Sequence, residues 1–190
     1  MANWTLKSLV RGIRTTRWPR RPETAPGITS GRQPLDGTWM PHSSRGPLPK
    51  RFRRSAHVRF VDAGASGAYI SEVRLLDAPP YNLHRFGIFI TASPRDADIL
   101  LVAGPVTEAM REPLRKAYEA MPEPKRVIAM GDEAVNGGVF GKSFVSAGGV
   151  AQVLPVDFAI PGDPPSPLAI IHGLLAATGQ TEAHPQEKQA

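Results

Sequence analysis

From His57 onward, short apolar runs alternate with polar, glycine-bearing turns and with stripes at helical spacing. His57-Val58-Arg59-Phe60-Val61-Asp62 has strand character and runs into a Gly-containing turn, and residues 86–90 and 99–102 are further apolar runs bounded by turn residues. Between Thr107 and Met121, the side chains of Met110, Leu114, Ala117, Tyr118 and Met121 fall on one helical stripe. Pro113 lies inside it and predicts a kink there or a helix start close by. Residues 126–130 and 153–160 are the next predicted strands. Residues 167–178 form a closing helix, with proline in the first turn and Gly179 as its stop. This strand–helix alternation predicts a mostly parallel sheet covered by helices on both faces.

The first part of the chain has another character. Seven prolines fall within residues 1–60, and periodicity fades after the opening segment. In that segment, residues 4–13, and one residue beyond it, Lys7, Arg11 and Arg14 recur at i, i+4 and i+7, while Leu6, Val10 and Ile13 line another face. Such a short basic amphipathic helix suits a membrane interface or a neighbouring subunit, and its Arg-rich, acid-free composition also matches a cleaved transit peptide. The following Thr15-Thr16-Arg17-Trp18-Pro19-Arg20-Arg21-Pro22 is extended, because each proline biases its predecessor away from helix. The chain therefore divides into a basic, Pro-rich arm over 1–56, an α/β domain over 57–178 and a polar tail over 179–190.

Charge sharpens that division. Residues 1–60 hold thirteen Lys/Arg against two Asp/Glu, a formal +11, and residues 61–190 hold ten against fifteen, a formal −5. The pI of 10.1 thus describes the arm and not the domain. Trp4, Lys7, Arg11, Arg14, Arg17, Arg20 and Arg21 are the candidate docking residues, toward a partner subunit or anionic lipid. No run approaches the roughly eighteen apolar residues that a membrane span needs. The chain has no cysteine, which excludes disulfides and Cys-ligated zinc.

Three loops carry the candidate chemistry: Asp62-Ala63-Gly64-Ala65-Ser66-Gly67-Ala68-Tyr69, Gly131-Asp132-Glu133-Ala134, and Pro161-Gly162-Asp163-Pro164-Pro165-Ser166-Pro167. Each follows a predicted strand, so all three are expected to meet at the carboxyl edge of the sheet, where α/β folds collect ligands. Around them run Ala97-Asp98-Ile99-Leu100-Leu101-Val102-Ala103-Gly104-Pro105-Val106-Thr107, Leu114-Arg115-Lys116-Ala117-Tyr118, Met121-Pro122-Glu123-Pro124-Lys125, Val127-Ile128-Ala129-Met130-Gly131-Asp132 and Val153-Leu154-Pro155-Val156-Asp157.

These stretches, in order over roughly residues 57–178, resemble the 20 kDa, cluster-carrying subunit family of NADH:quinone oxidoreductase and the nickel–iron hydrogenase small subunits. Tyr81-Asn82-Leu83-His84-Arg85-Phe86-Gly87-Ile88-Phe89 and Met110-Arg111-Glu112-Pro113-Leu114 are most similar to the energy-converting hydrogenase-related branch. The resemblance implies a flavodoxin-like α/β fold, mostly parallel sheet flanked by helices, carrying an extended basic N-terminal arm. In that family four cysteines hold one 4Fe–4S cluster, and the resemblance places their counterparts at Ser66, Tyr69, Glu133 and Asp163. With no thiolate at any of them, the expectation is that the ancestral cluster is lost and no cofactor remains. The resemblance further implies a non-redox docking subunit without activity of its own, in a membrane-associated complex. Its expected partners are a large, hydrogenase-like 49 kDa-type subunit and membrane-arm subunits. Its expected place is peripheral, on the inner face of a bacterial cytoplasmic membrane or a mitochondrial inner membrane.

Rival constellations fit less well. Ser66, Glu133 and Asp163 form an oxygen-only set that suits Mg²⁺ or Ca²⁺, the basis of an alternative reading as a metal-dependent enzyme with a rebuilt site. Asn136-Gly137-Gly138-Val139-Phe140-Gly141-Lys142-Ser143 places Asn136 where a phosphate loop needs its first glycine. His42, His57, His84, His172 and His184 form no i, i+3 or i, i+4 pair. Nothing like a nucleophile elbow surrounds Ser66, which removes a triad with His57 and Asp62. The arm's cations and Trp4, Trp18, Trp39, Phe52 and Phe60 are the basis of a nucleic-acid-binding alternative, but their spacing matches no known module.

Overall fold

The computed structural model describes residues 40, 41, 45 and 47–180, all within one compact unit that begins at Pro34. The predicted helix over residues 4–13 and the candidate docking residues Trp4 to Arg21 lie outside the described residues, as does the tail after Gln180.

The elements are β1 (Met40–Pro41), β2 (Ala56–Asp62), α1 (Gly67–Leu75), β3 (Ile88–Ile90), β4 (Ile99–Ala103), β5 (Val106–Thr107), α2 (Glu108–Ala120), β6 (Arg126–Met130), α3 (Asp132–Asn136), β7 (Ser146–Gly148), β8 (Phe158–Ile160) and α4 (Pro167–Thr178). Short 3₁₀ turns fill several connections. The main sheet runs β1-β8-β6-β4-β2-β3, with β1 antiparallel and the other strands parallel. Numbered among themselves, the parallel strands lie in the 2-1-3-4-5 order of flavodoxin-like sheets. A small antiparallel pair, β5 with β7, stands beside it.

The central strands explain themselves. Ile99-Leu100-Leu101-Val102-Ala103 and Arg126-Val127-Ile128-Ala129-Met130 are buried throughout, as parallel strands covered on both faces must be. Alternate residues divide between two cores. Ile99, Leu101, Ile128 and Met130 pack with Tyr69 and Val73 of α1 and Ile170, Ile171 and Leu174 of α4. Leu100, Val102, Val127 and Ala129 pack with Leu114 of α2, Met121 and Val150 on the other face.

The predicted helix across Pro113 keeps its span, and two predicted strands shorten, the first from residues 86–90 to Ile88–Ile90. Helix α2 runs through Pro113 from Glu108 to Ala120. Pro113 and Ala109 both face water, so solvent can satisfy the carbonyl that the proline ring leaves unpaired. The strand expected over residues 153–160 shrinks to Phe158–Ile160. Pro155 has no N–H to donate, and the buried Asp157 carboxylate takes over part of the pairing. Its Oδ2 accepts the Val127 N–H at 2.9 Å and its Oδ1 lies 2.7 Å from Arg45 Nε.

Candidate functional site

Strand register puts the three loops in one row. Asp62 pairs with Ala103, Ala103 with Met130, and Met130 with Ile160, so the strands end together at the carboxyl edge. The chain leaving β2 is set by Asp62, whose Oδ1 accepts the N–H groups of Gly64 at 2.9 Å and Ala65 at 2.7 Å. Thr107 ties the same loop to the end of β5 through a 3.1 Å bond from its hydroxyl to the Ala63 carbonyl. Loops two and three clamp each other: the Asp132 N–H donates to the Gly162 carbonyl at 2.9 Å, and the Gly162 N–H returns to Asp132 Oδ1 at 3.0 Å.

Helix α1 starts at Gly67, after Ser66, and was not foreseen from the sequence. The signal was present: Tyr69, Val73 and Leu76 fall at i, i+4 and i+7, and all are buried. Starting the helix here turns Tyr69 inward and leaves Ser66 exposed, with no capping bond from its side chain. The Tyr69 side chain has no solvent exposure, and its hydroxyl donates to Asp163 Oδ1 at 3.0 Å. Its ring lies against Gly131, where a Cβ would come within 2.2 Å of Tyr69 Cε1 and 2.6 Å of its hydroxyl. Gly131 also has φ +90°, so the position excludes a side chain on both counts.

Glu133 lies on the first turn of α3. Its Oε2 is sealed from water and has no hydrogen-bond partner among the described residues. Burial, and after it the negative charge of Asp163, raises the Glu133 carboxyl above its ordinary value. The Tyr69 phenol is pushed far above its usual range, by burial first and then by the bond to Asp163 and the charge of Glu133. The phenol therefore stays protonated and donates to Asp163. Of the four positions that the resemblance assigned to cluster ligands, the structure joins Tyr69, Glu133 and Asp163 and leaves Ser66 on the surface.

The donors gathered here are a phenol and two carboxylates, with a serine hydroxyl outside. None is the soft thiolate that an iron–sulfur core takes, and the Tyr69 ring fills space between the loops. Among the described residues, no group of three or more His, Cys, Asp and Glu is placed to hold a metal ion. The Gly-rich segment after α3 leads straight into strand β7, and no helix opens at Ser143 as a phosphate loop requires. His57 sits away from the loops, stacked on Phe89 at 5.7 Å, and the His172 imidazole on α4 is lowered by burial.

A 2-1-3-4-5 sheet with three clamped loops at its carboxyl edge defines a flavodoxin-like domain whose loop cluster is the candidate site. The sequence profile of the NADH ubiquinone oxidoreductase 20 Kd subunit family matches residues 66–177, and the chain belongs to that family. An uncharacterized protein of Methanocaldococcus jannaschii is 45% identical over 123 residues, covering 65% of this chain and 82% of that protein. Formate hydrogenlyase subunit 7 of Escherichia coli is 40% identical over 140 residues, 74% of this chain; the match spans 55% of that relative's length. Among solved structures, a chain of the membrane-bound sulfane sulfur reductase, an archaeal respiratory membrane complex, superposes with a TM-score of 0.58 at 28% identity. That match covers 72% of this chain and 80% of the other. A chain of an NAD+-reducing NiFe hydrogenase shares the fold, with a TM-score of 0.55 at 16% identity over 70% of this chain and 97% of the other.

Proposed function

We propose that this chain is a docking subunit, without redox function, of a membrane-associated complex related to NADH:quinone oxidoreductase and energy-converting hydrogenases. The observation that carries the reading is Tyr69, whose buried ring and hydroxyl join loops one and three where the family resemblance places cluster ligands. A phenol bonded to a carboxylate makes a closed polar contact in place of iron coordination. Family membership and the membrane complex named for one structural relative support the setting. The partners in this reading are a large hydrogenase-like subunit and membrane-arm subunits. Attachment is peripheral, on the inner face of the cytoplasmic membrane; no helix among the described residues is long and apolar enough to cross a bilayer. The arm, through Trp4, Lys7, Arg11, Arg14, Arg17, Arg20 and Arg21, serves as the anchor.

Anaerobic reconstitution of the purified full chain with ferrous iron and sulfide tests the central claim. Iron and acid-labile sulfide should remain substoichiometric, with no sulfur-to-iron charge-transfer absorption. Stoichiometric uptake overturns the reading.

A further inference from the structure

Beside the candidate site stands a surface that the fold does not use. After α3, residues 137–145 project from the domain, and four large apolar side chains on them face water: Val139 at 96% exposure, Phe140 at 66%, Phe144 at 93% and Val145 at 54%. Exposed apolar side chains occurring singly are ordinary; four within seven residues form a patch of the kind that marks an interaction site. The segment is also built. Gly137 N–H donates to the Glu133 carbonyl at 2.8 Å, Gly141 N–H to the Gly137 carbonyl at 3.0 Å, and Ser143 N–H to the Ser146 carbonyl at 2.8 Å. The Val145 carbonyl accepts the Glu108 N–H at 2.9 Å. The projection is thus tied at both ends to α3 and to the start of α2.

Its base is acidic. A Cβ at Gly138 would come within 2.9 Å of Glu133 Cγ, so the Glu133 side chain lies directly against the base of the projection. The sealed Glu133 Oε2 has no partner among the described residues, and Asp163 adds a second negative charge close by. Glu133 is only half-buried and Asp163 is exposed, so a cation brought by a partner can meet both negative charges at the surface.

We infer that residues 137–145 and Glu133 form one docking surface for a protein subunit that offers an apolar socket to Phe140 and Phe144 and a Lys or Arg side chain to Glu133. Charge selects this occupant. An anionic bilayer would bring phosphates against Glu133 and Asp163, and Lys142 is the projection's one cation. A second copy docked on the same surface would bring a second Glu133 and Asp163 toward the first pair. The inference rests on the docking-subunit reading and names the face that docks.

The test uses the full chain in its native membranes, extracted in mild detergent. Phe140→Ser with Phe144→Ser should lower the fraction recovered in the membrane complex by about tenfold, because exposed apolar anchors concentrate binding energy. The unfolding temperature of the isolated chain should stay unchanged, since neither side chain is in the core. Glu133→Lys should impair recovery more than Glu133→Gln. A photo-crosslinking side chain at position 144 should capture a subunit of the complex at an apolar peptide containing Lys or Arg. Normal assembly of the double variant, with wild type assembling as well, overturns the surface and leaves the docking role standing. Wild type that is recovered alone overturns the docking role, and the surface with it. Loss of binding to anionic vesicles by the isolated double variant, or loss of a wild-type dimer, would assign the projection to lipid or to a second copy and overturn the inference.

Discussion

Replacing Tyr69 separates its ring from its hydroxyl. In Tyr69→Phe the ring stays against Gly131 and only the 3.0 Å bond to Asp163 is lost. Asp163 is exposed, so its freed carboxylate regains water, and the cost should sit near the neutral-bond figure of about 1 kcal/mol. Tyr69→Ala removes in addition an aromatic ring with 0% exposure from a core shared with Val73, Met130 and Ile160. Removing a buried aromatic side chain costs about 3–5 kcal/mol, a large part of a domain's net stability. For a domain of this size each kcal/mol moves the unfolding midpoint by about 2–4 °C. Calorimetry should therefore show a drop of about 2–4 °C for Tyr69→Phe and about 6–20 °C for Tyr69→Ala. If both variants melt within about 1 °C of wild type, the ring does not fill the convergence of the loops and the argument from Tyr69 fails.

Three further outcomes follow from the same geometry. Glu133 is raised by burial and by Asp163, so the fold favours its neutral form; that advantage is full below the ordinary value of 4.5 and is lost as pH rises through the raised value. Glu133→Gln should accordingly melt higher than wild type at about pH 8 and lose its advantage below pH 4.5, as thermal scans across pH would show. Gly131→Ala drives a methyl group into Tyr69 at a φ of +90° and should lower stability by about 2 kcal/mol or more; in a Tyr69→Ala background part of that cost should vanish, which a double-mutant cycle in urea measures. Asp157→Ala leaves the Val127 N–H and Arg45 without their carboxylate, and should cost about 3 kcal/mol by urea unfolding; a change below about 0.5 kcal/mol would remove Asp157 from the account of the shortened β8.

The sequence by itself determined much of the frame. Runs such as Ile99–Ala103 and Arg126–Met130, the stripe from Met110 to Met121, and the Pro167–Gly179 helix with its start and stop signals all rest on neighbours close in the chain. Their alternation was enough for a parallel sheet, and three Gly-bearing loops after strands were enough to say where a site would gather. The missing cysteines were equally legible, and they set the chemistry of every donor in that site. What the tertiary structure decided depends on partners far apart in sequence. Tyr69 meets Asp163 across 94 residues, and no local pattern says that Tyr69 turns inward while Ser66, three residues earlier, faces water. Pro113 is tolerated because its turn of α2 faces solvent, and strand β8 is short because Asp157 reaches Val127 across 30 residues. Periodicity records which face of an element is apolar; it does not record which element will cover that face, and that choice placed Tyr69 between the loops and left Val139, Phe140, Phe144 and Val145 in water.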